Sequence, residues 1–378
     1  MTYGAYPGRR AVAERVRECF SRHLEVAAPG SARADAELPD TIAIEALIDV
    51  GFWTSLRREE GYVPIVSLAL VVPDPALNPV MFARPFPLSP AALAKVAPAV
   101  ERPGIHLGVS MIGNEFSVWG ATRVLPPFCL VLEVAGPGLL VVKQHRGGEQ
   151  TKFANIAVLE GDQVKIVDED ASNLPDCPTL LSSLLGFDSP ASWSDSVNVL
   201  VQLAVSMRSH KRGGLLLVVP SESARWRDSI VLPIAYALDP PYPGLSNLME
   251  HKVNARDRLW QDALGRAVEG IAGLTAVDGA TIVTDRHELL AFGAKITRRR
   301  GSPPVEQASV TEPIEGFVPS VVHPSSLGGT RHLSAAQFVH DQRDAVALVA
   351  SQDGRFTVFA WSPCEDMVHA HRVEALLL

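Results

Sequence analysis

The chain of 378 residues is poor in cysteine, and its four (Cys19, Cys129, Cys177 and Cys364) lie far apart with no CxxC pair. Neither a zinc site nor a disulfide framework is therefore indicated. Long hydrophobic runs are also missing. The longest, residues 65–72, contains Ser67 and falls far short of the roughly 18 apolar residues that a membrane span needs. The opening stretch MTYGAYPGRR has no apolar centre of a secretory signal. There is no excess of positive charge: 34 Lys and Arg stand against 42 Asp and Glu, a net charge of −8. That balance excludes a general nucleic-acid coat, which needs a basic surface, but leaves room for a local cluster that holds a small nucleotide. No GxxxxGK[ST] occurs, so a P-loop is excluded; no GxGxxG opens a helix, and no Ser/His/Asp triad signature is present. These absences lead us to expect a soluble, reduced, cytoplasmic protein.

What is present is ordinary globular material. Apolar residues make up 47% and charged residues 20%, enough for a sizeable core, and the length suits two domains. Helical spacing of Val12, Val16, Cys19, Phe20 and Leu24 predicts a helix over 9–27, and Ile44, Leu47, Ile48, Phe52 and Leu56 predict another over 42–56. A strand over 63–72 and a Pro-rich connection over 73–87 follow. Ser89-Pro90 then reads as the cap and first residue of a short helix. From 105 to 168, short apolar runs alternate with Gly-containing turns, as in a meandering antiparallel sheet. The Asp-, Ser- and Pro-rich stretch 168–190 reads as the boundary between an N-terminal α+β domain, 1–190, and a C-terminal domain, 191–378. Beyond it we expect a helix capped by Ser192, a buried strand at 215–219, helices near 223–238 and 246–274, and a hairpin of strands 280–284 and 288–296. A long loop over 297–329, a helix over 333–340 and two closing strands, 345–350 and 355–361, complete the pattern. There is no internal repeat or low-complexity segment.

Two short segments carry candidate chemistry. Gly328-Gly329-Thr330-Arg331-His332 ends the long loop and starts a helix. Its paired glycines allow close backbone approach to a phosphate, and the helix start favours negative charge. Thr330 adds a hydroxyl, Arg331 a guanidinium fork, and His332 a donor or metal ligand. Asp278-Gly279-Ala280, at a helix–strand junction, supplies a carboxylate that could hold Mg²⁺ or Mn²⁺ or take a proton. Each alone is more often a turn or a helix cap.

In sequence order, GGLLLVVP (213–220), DGATIVTDRHELLAFGAKI (278–296), GGTRHLSAA (328–336) and DAVALVASQDGRFTVFAW (344–361) together resemble the diadenylate cyclase domain, with its DGA motif, its GTRHR motif and a closing D-A-x-x-x-V-S-E-E-x-G-x-I-S-V hairpin. The likeness covers about half the chain. Residues 38–142 look like a sensor domain of the DACNV type that precedes some bacterial cyclases. The resemblance implies an α/β fold: a mixed C-terminal sheet flanked by helices, preceded by the α+β domain. It implies joining of two ATP, or related nucleotides, into cyclic di-AMP with loss of pyrophosphate, aided by Mg²⁺ or Mn²⁺ and controlled by an unknown ligand of the N-terminal domain. Asp278, Arg331 and His332 would be catalytic, with Asp278 and His332 on the metal. Gly279, Ala280, Gly329, Thr330, Arg331 and Ser351 would bind nucleotide. In that family each site holds one ATP, so the resemblance also implies that two domains meet face to face in a homodimer or larger assembly.

The sequence departs from the family in two places: Leu333 replaces the arginine after the histidine, and Ser351-Gln352-Asp353 replaces S-E-E. A nucleotide sensor without chemistry, a cyclase with a different product, and an interaction protein with purely structural motifs are the alternatives. Arg298-Arg299-Arg300 reads as a solvated charge run. His369-Ala370-His371 reads as a solvated tail rather than a metal site. Trp53 and Trp119 read as core, and His145-Arg146-Gly147-Gly148 as a hairpin turn.

Overall fold

Three N-terminal helices form where apolar side chains recur at helical spacing: α1 (Arg9–Ala27), α2 (Thr41–Ser55) and α3 (Pro90–Val100). Asp40 caps α2 through the Ile42 amide, and Ser89 caps α3 through the Ala92 amide, with Pro90 in the first turn. Caps of this kind satisfy amides that the helix itself leaves open. The computed structural model describes residues 5–27, 38–102, 104–145, 153–168, 199–250 and 258–378. The predicted cap at Ser192, the turn residues 146–148 and Cys177 lie outside them. The chain divides into two units, the first ending at Asp168 and the second starting at Glu169.

The first unit is built on an eight-stranded mixed sheet. Its strands are β1 (Val66–Leu70), β2 (Val80–Pro87), β3 (His106–Ile112), β4 (Glu115–Thr122), β5 (Leu130–Gly136), β6 (Leu139–His145), β7 (Phe153–Glu160) and β8 (Gln163–Ile166). They lie in the order β2-β4-β3-β1-β5-β6-β7-β8, and only β1 and β3 are parallel. Alternate residues Leu68, Leu107, Leu132 and Leu140 meet Phe20, Ile44, Ile48 and Leu93 of the helices in one core. The single meander expected over 105–168 is split: β3 and β4 form a hairpin on one side of β1, and only β5–β8 run as a meander on the other. Residues 73–87, expected as a connection, instead contain β2. As the outermost strand β2 tolerates Pro85 and Pro87, because an edge strand need not donate from every residue. Trp119 is core, as expected, and its indole N–H donates to the Val71 carbonyl at 2.7 Å.

The second unit is a nine-stranded mixed sheet with helices on both faces. Its helices are α4 (Val199–Ser209), α5 (Gly244–Glu250), α6 (Arg258–Leu274) and α7 (Thr330–Asp341). Its strands are β9 (Gly214–Val219), β10 (Tyr236–Tyr242), β11 (Ala280–Thr284), β12 (Leu289–Ala294), β13 (Ala308–Thr311), β14 (Ser320–Val322), β15 (Val346–Ala350), β16 (Phe356–Ser362) and β17 (Met367–Arg372). The order is β10-β12-β11-β9-β15-β16-β17-β13-β14. Leu216 and Val218 of β9 pack under α4 and α6, while Leu215, Leu217 and Val219 pack under α7. Burial on both faces explains why the central strand reads as one continuous apolar run. With two mixed sheets and seven helices among the described residues, the expected α/β class holds.

Three expectations for this unit are corrected. Residues 223–238 form a short 3₁₀ turn, Arg225–Ser229, and the start of β10, not a helix. Pro233, Pro240 and Pro241 cannot continue helical hydrogen bonding, and β10 takes its prolines at the sheet edge. The stretch 297–329 is not one loop, because β13 and β14 lie within it. His369 and His371 are not in a solvated tail: they sit on β17, buried between β16 and β13. There the His371 Nδ1 pairs with the Thr311 hydroxyl at 2.7 Å and His369 Nε2 with Glu365 at 2.9 Å.

Burial, and secondarily the charge of His369, lowers the His371 imidazole to about 3. An unfolded chain, near the ordinary value of about 6.5, binds the proton first. This contribution therefore leaves stability intact above about pH 6.5 and subtracts from it as pH falls toward about 3, by about 2 kcal/mol at pH 5. We expect His371→Gln to shrink the difference in unfolding free energy between pH 7.5 and pH 5 by that amount in urea titrations. An unchanged difference would remove His371 as its source.

Candidate functional site

The four motif segments of the second unit, distant in sequence, converge on one end of its sheet. Strands β9 and β11 run parallel with Thr281 beside Leu216, so their N-terminal ends share an edge. Antiparallel pairing of Ala280 with Ala294 brings the C-terminal end of β12 to that edge, and pairing of Gly214 with Ala350 brings the end of β15. The β15–β16 turn, residues 351–355, lies there too, because Ala350 pairs with Phe356. The first turn of α7 joins them. Arg331 Nη1 would lie 2.9 Å from a Cβ built on Gly213, so this position, with φ +72°, leaves room for the guanidinium.

Asp278 stands at the start of β11 with its side chain 89% exposed, and its carboxylate pairs with Lys295 at 2.5 Å. The hydrogen bond from Lys295, then its charge, then that of Arg331 hold the carboxyl below its ordinary range. Gly279 adopts φ +115°, and a Cβ there would meet the Gly293 carbonyl carbon at 2.5 Å. Only glycine lets β11 begin so close to β12. Ala280, expected to shape a nucleotide pocket, is fully buried and packs into the core below α7.

Gly329 is the N-cap of α7 and offers no side-chain bond to the first-turn amides. The His332 amide donates to the Gly329 carbonyl at 3.0 Å, while Thr330 is exposed at a helix end that favours anions. His332 is buried, with its ring edge-on to Phe359 at 6.1 Å and packed against Gly328. Burial lowers its pKa; Arg372, Arg355 and Arg331 add to this and Asp353 opposes it. Burial thus favours the uncharged imidazole. In the β15–β16 turn, burial opposes ionisation of Asp353, but the Ser351 hydroxyl and then the Arg355 amide and guanidinium bring its pKa below the ordinary value. Gln352 donates to the Arg212 carbonyl at 3.4 Å, and Leu333 is partly exposed on α7.

Residues 33–123 match the model of a probable sensor domain, DACNV. The matched stretch lies within the first unit and covers well under half the chain. No curated protein matches the sequence. Among the described residues no helix is long and apolar enough to cross a membrane. The DACNV segment agrees with the sensor part of the resemblance read from 38–142.

Lys295 and Gly213 were not singled out in the sequence. The β11–β12 pairing shifts register at two places, so counting outward from the Asp285–His287 turn does not give the approach of Lys295 to Asp278. Arg298, Arg299 and Arg300 are exposed, in keeping with a solvated charge run. Trp53, expected as core, is instead half-buried on α2, where it meets Phe52 edge-on.

One prediction isolates the ion pair. Lys295→Met is expected to raise the Asp278 pKa toward the ordinary carboxylate value in a ¹³C carboxyl titration. An Asp278 resonance that titrates as in the parent would mean that Lys295 does not hold this carboxylate in solution.

Proposed function

We propose that the protein is a sensor-controlled nucleotidyltransferase of the diadenylate cyclase kind, which converts two ATP into cyclic di-AMP and pyrophosphate. The observation that carries this reading is the meeting of Asp278, Lys295, Arg331 and the Ser351–Asp353 turn on one sheet edge beside the open start of α7. Phosphoryl chemistry asks chiefly for positioning and for neutralisation of charge, which this edge offers. Each 3′-hydroxyl oxygen forms a bond to the α-phosphorus of the other nucleotide, the bond from that phosphorus to the β-phosphate oxygen breaks, and pyrophosphate leaves. Asp278 takes the hydroxyl proton or orients the hydroxyl. Arg331, Lys295 and the α7 amides hold phosphate oxygens, and Ser351 lies at the same edge to add a hydroxyl.

The resemblance implies Mg²⁺ or Mn²⁺. Among the described residues no group of three His, Cys, Asp or Glu could hold a metal alone. An exposed carboxylate does fit a cation that takes its other ligands from phosphate oxygens and water. Asp278 would supply that carboxylate; His332, which the resemblance implies as a second ligand, is buried against Phe359 and Gly328 and does not fit that part. Bound there, the cation would offset charge on the triphosphate. One ATP per site requires two such edges to face each other across a symmetric pair.

A second reading, a nucleotide sensor that performs no chemistry, is favoured by the pairing of Asp278 with Lys295, by Leu333 in place of an arginine, and by Gln352 in place of a carboxylate. The test is incubation of the full chain with ATP and Mn²⁺, with mass spectrometry of the products. A cyclic dinucleotide supports the first reading. Intact ATP with an ATP-induced rise in the unfolding midpoint, for the 192–378 fragment as well as the full chain, supports the second. Intact ATP and no rise removes both.

A further inference from the structure

Within the DACNV segment, a cavity of about 470 Å³ opens between α3, the edge strand β2 and the chain leaving β4. Local sequence builds it. The pairing of β2 with β4 slips between Met81 and Phe86, so residues 82–85 leave the ladder. Phe82 then stacks on Phe86, ring centroids 5.7 Å apart. Asn78, at φ +49°, turns the chain from the 3₁₀ segment Pro75–Leu77 into β2. Helix α3 buries Leu93, Ala94, Ala97 and Val100 and lines the cavity with Val96, Ala99 and the buried Val100, at the spacing of one helix face. Phe82, Val96, Ile105 and Ala121 are only partly buried against the core, so the floor of the cavity continues it.

The wall is almost wholly apolar, and Arg123 is the single charged residue among those lining it. The Thr122 hydroxyl donates to the Val124 carbonyl at 2.9 Å and accepts from its amide at 3.2 Å, which fixes the turn that carries Arg123. Arg123 has no ion pair with a described residue. A guanidinium presents two parallel N–H groups that match a carboxylate. The volume falls in the range of roughly 300–1,000 Å³ typical of small-molecule sites.

We infer that this cavity binds a small apolar monocarboxylate, with its hydrocarbon body on the Phe82–Val96–Ile105 floor and its carboxylate on Arg123. The inference rests on the sensor reading of residues 33–123 and supplies the ligand class for it; it does not depend on nucleotide chemistry.

The test uses the full chain and isothermal titration with decanoate and 2-naphthoate, with decanol as the uncharged comparison. At least one acid is expected to bind with Kd of about 10–100 μM. Arg123→Gln is expected to weaken it about 10-fold, to the level of decanol. Ala99→Trp, at an exposed position facing the cavity, is expected to abolish binding by filling the space. Val124→Trp at the rim repeats the test if the first variant fails to fold. Three results overturn the inference: neither acid binding below about 1 mM, binding that survives a folded filling variant, or acid and alcohol binding alike with Arg123→Gln silent. None of these bears on the cyclisation assay, which reads product from ATP.

Discussion

Asp278→Ala is expected to lower cyclic dinucleotide formation by about 10³-fold or more, the scale of losing a positioned acid–base group. The unfolding midpoint should stay within about 1 °C, because surface substitutions of this kind seldom matter by more than about 0.5 kcal/mol. The two halves of this result follow from one fact: the side chain is 89% exposed, with Lys295 as its hydrogen-bonded partner. Its removal deletes a functional group and leaves no cavity. It also frees Lys295 to meet phosphate oxygens. Nucleotide affinity, measured by calorimetry with a non-hydrolysable ATP analogue in the absence of divalent cation, is therefore expected to hold or rise while turnover disappears. Loss of affinity together with turnover would instead make Asp278 a binding group, and unchanged product would remove it from the site.

Gly279→Ala should behave in the opposite way, unfolding the second unit more easily by about 2–4 kcal/mol, or roughly 5–15 °C in midpoint. At φ +115° an L-residue is strained. Its Cβ would also stand 2.5 Å from the Gly293 carbonyl carbon and 2.9 Å from the Ala294 oxygen. Those are backbone atoms of β12 and cannot rotate aside as a long side chain would. Gly293 itself is hemmed in, since a Cβ there would lie 2.8 Å from the Tyr236 ring. Strand β11 must shift, and Asp278 with it. Gly329→Ala is the control. Nothing lies within 4 Å of that position, so its cost should be about 1 kcal/mol or less. Equal midpoints for the two variants, read by calorimetry, would refute the close approach of β11 to β12.

Much of the fold was legible because local signals and burial agreed. The run Val12–Leu24 marked α1, Ser89-Pro90 marked the start of α3, and the continuous apolar stretch 215–219 marked the central strand. Legibility failed where tertiary placement decided. Nothing local separates His369-Ala370-His371 in a tail from the same residues between β16 and β13, where Thr311 and Glu365 meet the two imidazoles. Nor does the stretch 223–238 announce that Tyr236 will stack on Phe292 across an edge pairing. At the candidate site the motif residues were legible as types. Their common edge was not, because it depends on β9 pairing with β11 on one side and β15 on the other. Lys295 was missed because a lone lysine after a strand carries no chemical signature until its register partner is known.

The central position of β9 also bears on when, during synthesis, the molecule acquires its chemistry. In the first unit, β5 through β8 each pair with the strand next in sequence, so that meander can form as it leaves the ribosome. Strand β9 must wait: its flanking partners are β11, and β15 near the far end of the sequence, where Gly214 finds Ala350. Closing so long a loop is entropically costly and slow. A nascent chain would thus possess its DACNV segment long before the edge bearing Asp278, Arg331 and Ser351 exists. On the sensor and cyclase readings proposed above, a truncated translation product would keep the ligand response and lack the nucleotide chemistry.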